Sequence, residues 1–146
     1  MSTLIHYYSN SAEETQEVGF NFGLTLPTNS VICFFGDLAA GKTTFIKGLV
    51  AGASQLDPNI VQSPTFSYLH IYEGKQIVYH FDLYRLKDVN EFLSMGFDEY
   101  FESGGICCVE WSERIHSILP PNCLFVILTH QTENRREIKI IEKDIK

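Results

Sequence analysis

The sequence predicts an α/β sheet that is parallel in its middle and antiparallel at an edge. Two continuous apolar runs, SVICFF at 30–35 and ICCVE at 106–110, are what strands covered on both faces require. Helical patterns follow or separate these runs, which is the alternation of a parallel core. Shorter strand pairs joined by turns, at 66–82 and 124–142, add antiparallel partners.

The elements follow in order. Thr3 to Tyr8 is β-branched and aromatic enough for a short strand. Ser11-Ala-Glu-Glu14 is a capping box, in which Ser11 and Glu14 satisfy orphan amides at a helix start. That helix extends to about Leu24, with Val18 and Phe22 on one face and Phe20 and Leu24 beside them. Pro27 and Asn29 end it before the strand Ser30 to Phe35. A Gly-rich turn then feeds a second helix carrying Phe45, Ile46, Leu49 and Val50, which Gly52 is expected to close. Residues 53–64 read as a polar loop. Phe66 to Tyr72 and Gln76 to Asp82 flank Glu73-Gly74-Lys75 as a hairpin. Short helices are predicted at Lys87 to Leu93 and Phe97 to Phe101. The buried strand ICCVE follows Gly105, and a helix from Ser112 to Leu119 stops at Pro120-Pro121. Leu124 to Thr129 and Glu137 to Glu142 close the chain. No repeat, linker or low-complexity stretch divides it, so residues 1–146 read as one domain.

Composition narrows the function classes. Eleven basic against eighteen acidic residues give a net charge of −7, which argues against a protein held on nucleic acid by its own charge. The four cysteines form no CxxC pair and no ligand spacing with histidine, so they read as reduced, buried thiols rather than a zinc site. No uncharged apolar stretch approaches the ~20 residues of a membrane span. The N-terminus lacks a basic region followed by an apolar core, so a cytoplasmic protein with no membrane partner is expected.

Residues 36–43, Gly-Asp-Leu-Ala-Ala-Gly-Lys-Thr, complete the phosphate-loop pattern GxxxxGK[ST] between a buried strand and an amphipathic helix. Backbone amides from about Leu38 through Ala39, Ala40 and Gly41 to Thr44 would line one concavity for phosphate oxygens. Gly36 and Gly41 allow the tight turn, and Asp37 lies within it. Lys42 would reach the β- and γ-phosphates, and the Thr43 hydroxyl would face Mg²⁺. The structural alternative is a Gly-rich connection with an exposed lysine.

Such chemistry needs a carboxylate at the end of a buried strand. Asp82 ends QIVYHFD and Glu110 ends ICCVE. One could hold Mg²⁺ while the other orients or deprotonates water, and the residues alone leave that division open. Gln62-Ser63-Pro64-Thr65-Phe66 stands where nucleotide switches sit. Thr65 could contact the γ-phosphate; a Pro-terminated turn with a capping Ser63 is the plain alternative. His80 shares a strand face with Asp82 and reads as a core residue or a support behind the site, ahead of a catalytic base. Trp111 could pack over a nucleotide or merely cover the sheet end.

The blocks GDLAAGKTT, SPTFSYLHIY, HFDLYRL, GFDEYF, VEWSERI and LPPN, in that order, resemble the bacterial TsaE (YjeE) family across about residues 10–142. The resemblance implies a P-loop NTPase-like sheet with a parallel core, antiparallel edge strands and helices on both faces. It implies an ATP- and Mg²⁺-dependent ATPase required for threonylcarbamoyl modification of adenosine next to the anticodon of tRNA. In that family the ATPase works with the TsaD and TsaB proteins, and tRNA is reached through that complex. By position, Thr43 and Glu110 hold Mg²⁺, Asp82 is the catalytically important acid and Thr65 the switch threonine. The family also places N-terminal residues, here around Ser11 to Thr15, beside the nucleotide. Where the family usually has Gly, this chain has Ala39; a positive φ there would cost on the order of 1 kcal/mol. Arg135, Arg136, Lys139, Lys143 and Lys146 gather basic charge near the C-terminus, either as a solvated edge or as a contact to nucleotide (Arg136 especially), tRNA or partner. The rival readings are a small P-loop kinase of a metabolite and a nucleotide-gated binding module without significant turnover.

Overall fold

The computed structural model describes residues 3–37, 41–64 and 66–142. Seven strands form one sheet: β1 (Thr3–Ser9), β2 (Val31–Phe35), β3 (Leu69–Tyr72), β4 (Val78–Asp82), β5 (Ile106–Glu110), β6 (Leu124–His130) and β7 (Arg136–Glu142), in the order β1-β7-β6-β2-β5-β4-β3. The four central strands β6, β2, β5 and β4 are mutually parallel. Antiparallel strands cover both sides: β3 pairs with β4, and β7 and β1 extend the sheet beyond β6. The parallel core with antiparallel edge strands expected from the sequence is therefore present, with antiparallel pairing at both edges.

Strand alternation sorts the side chains onto two faces. Ile32, Phe34, Val78, Ile106 and Cys108 join the core under α1 (Ala12–Thr25) and α2 (Lys42–Ser54). Val31, Cys33, Tyr79, Phe81, Cys107 and Val109 join the core under the short helix α3 (Val89–Ser94) and the 3₁₀ segments Phe97–Glu102 and Ser112–Ile118. Phe45, Ile46, Leu49 and Val50 of α2 are all fully buried. Each such side chain contributes about 1.5–3 kcal/mol, which fixes α2 firmly against β2.

Four glycines decide how α1 and α2 meet. A Cβ at Gly19 would strike the Phe45 carbonyl, and one at Gly23 the Leu49 carbonyl. In return, side chains at Gly48 and Gly52 would strike the carbonyls of Gln16 and Phe20. Glycine costs a helix about 1 kcal/mol per position against alanine, and here that cost permits backbone contact. Gly52 therefore sits inside α2 rather than closing it; the helix runs to Ser54 and ends at Gln55 in the left-handed region (φ 60°). The same contact explains why the buried stripe of α1 is Thr15, Gly19, Phe22 and Gly23, while Phe20 and Leu24 remain exposed.

Other boundaries shift for local reasons. Phe66 to Tyr68 is a turn, not strand, with Tyr68 at φ 65°. The predicted helix from Lys87 begins at Val89, because the Asp88 side chain accepts the Glu91 N–H and caps it. The segment after Trp111 winds as 3₁₀ rather than α. Residues 53–64 hold a short 3₁₀ turn at Pro58–Ile60, capped by Asp57. All four cysteines are buried, and burial pushes the Cys107 thiol up to about 12. No helix among the described residues is long and apolar enough to cross a membrane.

Candidate functional site

The parallel strands β2, β5 and β4 end side by side, and open parallel sheets present ligand sites at those ends. β2 leads into Gly36, whose φ of 146° is open only to glycine, and α2 starts after Gly41 in the left-handed region (φ 95°). Among the described residues no side chain caps α2, so its first amides are left for an anion. Gly41 also lies close to α1: a Cβ there would sit 3.6 Å from Thr15 Cγ2.

Asp82 and Glu110 are direct partners in the β4–β5 ladder, and Phe34 of β2 pairs with Glu110 on the other side. Gly36, Asp37, Lys42, Thr43, Asp82 and Glu110 thus line one cleft of about 710 Å³, joined by Ser63, Tyr84 and Trp111. Both carboxylates are buried to 6% exposure. Asp82 Oδ2 accepts the Ser63 hydroxyl at 2.9 Å, and its Oδ1 accepts the Tyr84 N–H at 3.0 Å. Glu110 Oε2 lies 2.8 Å from His80 Nε2. Trp111 leaves β5 at φ 62° and meets the Tyr84 ring at 4.9 Å, so the two aromatics wall the cleft.

A smaller cleft of about 150 Å³ adjoins the start of α2, lined by Ser11, Ala12, Thr15, Gly41, Thr44, Glu133, Asn134 and Arg136. Topology explains this gathering. β1 runs parallel to β6, so its end and the start of α1 fall at the same edge of the sheet as the β6–β7 turn. The hydroxyls of Ser9 and Thr15 meet at 2.6 Å and fix that corner. Arg136 Nη1 donates to the carbonyls of Thr132, Glu133 and Arg135. Arg135 instead stacks its guanidinium over Tyr8 at 4.3 Å, on the β1 surface.

The structure therefore brings Gly36, Asp37, Gly41, Lys42, Thr43, Thr44, Asp82 and Glu110 to one end of the sheet, with the Ser11–Thr15 region and Arg136 beside them. Leu38, Ala39, Ala40 and Thr65 lie outside the described residues, as do Lys143 and Lys146. The Ser63 hydroxyl donates to Asp82, a contact the sequence did not suggest. The Tyr84 amide was not anticipated. An aspartate accepting from the backbone N–H two residues on is an Asx turn, and Asp82-Leu83-Tyr84 carries that signal.

Among the described residues no cluster of three or more His, Cys, Asp or Glu side chains could cage a metal ion. The donor set suits Mg²⁺ all the same, because that ion keeps waters and takes one or two carboxylates together with substrate phosphates. A hydroxyl at Thr43 and a carboxylate at Glu110, beside a lysine and free helix amides, are such a set.

The family model for threonylcarbamoyl adenosine biosynthesis protein TsaE matches residues 9–138. The chain is 38% identical over 132 residues to the tRNA threonylcarbamoyladenosine biosynthesis protein TsaE of Treponema pallidum (strain Nichols), covering 90% of this chain and 96% of that protein. Against the TsaE protein of Nostoc sp. it is 41% identical over 133 residues, covering 88% of this chain and 80% of that one. The crystal structure of Bacillus subtilis YdiB matches with a TM-score of 0.76 at 29% identity, over 96% of this chain and 86% of that chain.

Proposed function

The chain belongs to the TsaE family of threonylcarbamoyl adenosine biosynthesis proteins, and from that premise we propose that it is the family's Mg²⁺-dependent ATPase subunit. In this reading it binds and hydrolyses ATP in the cytoplasm during threonylcarbamoyl modification of adenosine next to the anticodon of tRNA. It acts with TsaD-like and TsaB-like proteins, and meets tRNA through that complex. One observation carries the reading: the uncapped start of α2 with Lys42 and Thr43 faces two buried carboxylates on adjacent strand ends across one cleft.

The loop from Gly36 to Thr44 holds the phosphates, with Leu38, Ala39 and Ala40 contributing amides and Lys42 the positive charge. The smaller cleft by Ser11, Thr15 and Arg136 takes the nucleoside end. Thr43 and Glu110 would hold Mg²⁺, which supplies charge neutralisation at the phosphates when bound. Asp82, fixed by Ser63 and the Tyr84 amide, orients the attacking water and accepts its proton as the bond to the γ-phosphorus forms and the β–γ bridge breaks. Thr65 stands next to Pro64 on the segment that carries Ser63, as a switch residue would. The net charge of −7 fits a protein working through protein partners.

Lys42→Ala tests the phosphate site. It removes the cation opposing a partly buried polyphosphate, a loss of about 3–5 kcal/mol where the pair is dry. Isothermal titration should find MgATP binding nearly abolished, and affinity within about threefold of wild type would sink the assignment. Turnover measured alone, with candidate metabolites and with the TsaD and TsaB proteins separates a partner-dependent ATPase from a kinase and from a module without turnover.

A further inference from the structure

We propose that His80 is a positioning residue for Glu110, its Nε2–H clamping one carboxylate oxygen so that the other faces the cation. The inference rests on the reading of Glu110 as a metal ligand. It starts from a buried polar side chain that β4 has no structural need for. His80 is fully buried between Tyr79 and Phe81 in a strand whose five residues are all buried. Its Nδ1 makes no hydrogen bond among the described residues. A buried nitrogen without a partner is a standing cost that a leucine or valine there would avoid. What the ring gains lies at its other nitrogen, 2.8 Å from Glu110 Oε2.

The geometry makes that contact directional. His80 pairs with Cys108 in the ladder, two residues before Glu110, so ring and carboxylate share one face of the sheet. With Nε2 donating to a carboxylate, the remaining Nδ1 is a bare lone pair, which burial tolerates better than an unmet N–H. Glu110 Oε1 has no hydrogen bond to any described residue, and the carboxylate lines the cleft with Thr43. Side chains that orient a metal ligand from behind typically change metal affinity when removed.

The test compares ADP binding by titration calorimetry in Mg²⁺ and in EDTA. His80→Leu should cut the Mg²⁺-dependent gain in affinity by about tenfold or more, as loss of such supports does. Metal-free ADP should bind as before. His80→Gln can present an N–H near the Nε2 position and should stay within about threefold of wild type. His80→Asn keeps polarity but is too short to reach, and should behave like leucine. In a Glu110→Gln background, His80→Leu should have no further effect, because the two act as one unit. Additive losses, or a glutamine variant as impaired as leucine, would overturn the proposal. If Glu110→Gln alone leaves Mg²⁺ dependence intact, the metal assignment itself fails, and the His80 inference with it. Should the leucine variant not fold, nitrogen-15 NMR of the wild-type ring still decides: a proton on Nδ1 with Nε2 bare is incompatible with the clamp.

Discussion

Asp82 and Glu110 are neighbours in one ladder, equally buried and opening into one cleft, yet they are held by different parts of the molecule. Both oxygens of Asp82 are engaged, one by a hydroxyl from the segment before β3 and one by the amide of a turn after β4. Glu110 has one oxygen tied to a core histidine and the other without a hydrogen bond to any described residue. A carboxylate with a spare oxygen suits a hard cation. One whose two oxygens are fixed is oriented, as a group that must address a water at a set angle has to be. The contrast supports the proposed division of labour, and chain connectivity is what gives the two like groups unlike surroundings.

The largest effect expected from breaking this contrast is on turnover through Asp82. Asp82→Asn keeps the shape and the Tyr84 contact but removes the proposed base, and general-base contributions are typically 10²–10⁴-fold. MgATP affinity should stay near wild type. The rates need the TsaD and TsaB proteins present, so that the full reaction is read. Loss of the metal-dependent binding in this variant, with turnover spared in Glu110→Gln, would reverse the two roles.

Glu110→Gln should act on binding first. A carboxamide is a poorer ligand for a hard cation, so MgATP affinity should fall by about tenfold or more while metal-free ATP binds as before. Calorimetry with and without EDTA reads both numbers. If neither acid variant changes binding or turnover, the cleft is not the reaction site.

The sequence made the cleft legible to different depths on its two sides. The phosphate loop is contiguous, so spacing alone places Lys42 and Thr43 at a helix start. The acids are legible as strand ends because buried strands read as apolar runs, and β4 and β5 end at Asp82 and Glu110 as expected. Their pairing is a different matter. It depends on strand order, which no local pattern encodes, and so does the meeting of Ser63 with Asp82 across 19 residues. The α1–α2 contact was hidden for a related reason. Glycines at 48 and 52 look like weak points or an end in a single helix, and become necessary only when the carbonyls of Gln16 and Phe20 lie against them. The family resemblance supplied an expectation that local physics could not, a role for the Ser11–Thr15 region, and the parallel course of β1 and β6 brings that region to the start of α2.

The smallest expected effect sharpens the comparison most, because it touches Asp82 without altering the acid. Ser63→Ala removes the donor to Oδ2 and leaves the Tyr84 amide on Oδ1. A hydrogen bond to a charged group is worth about 1.5–3 kcal/mol, so in principle about ten- to a hundredfold or more in rate is at stake. Part of that is recovered, because Ser63 lies at an exposed position where water can replace its hydroxyl. Turnover with the TsaD and TsaB proteins should therefore fall by about three- to tenfold, with MgATP affinity unchanged. Ser63→Thr retains the hydroxyl and should restore most of the rate. The same pair of substitutions should leave the Mg²⁺ dependence of ADP binding untouched, since the proposed reading assigns that property to Glu110 and its histidine. If Ser63→Ala weakened metal-dependent binding as much as turnover, the two carboxylates would be acting as one coupled unit, and the division drawn from their separate hydrogen bonds would be wrong.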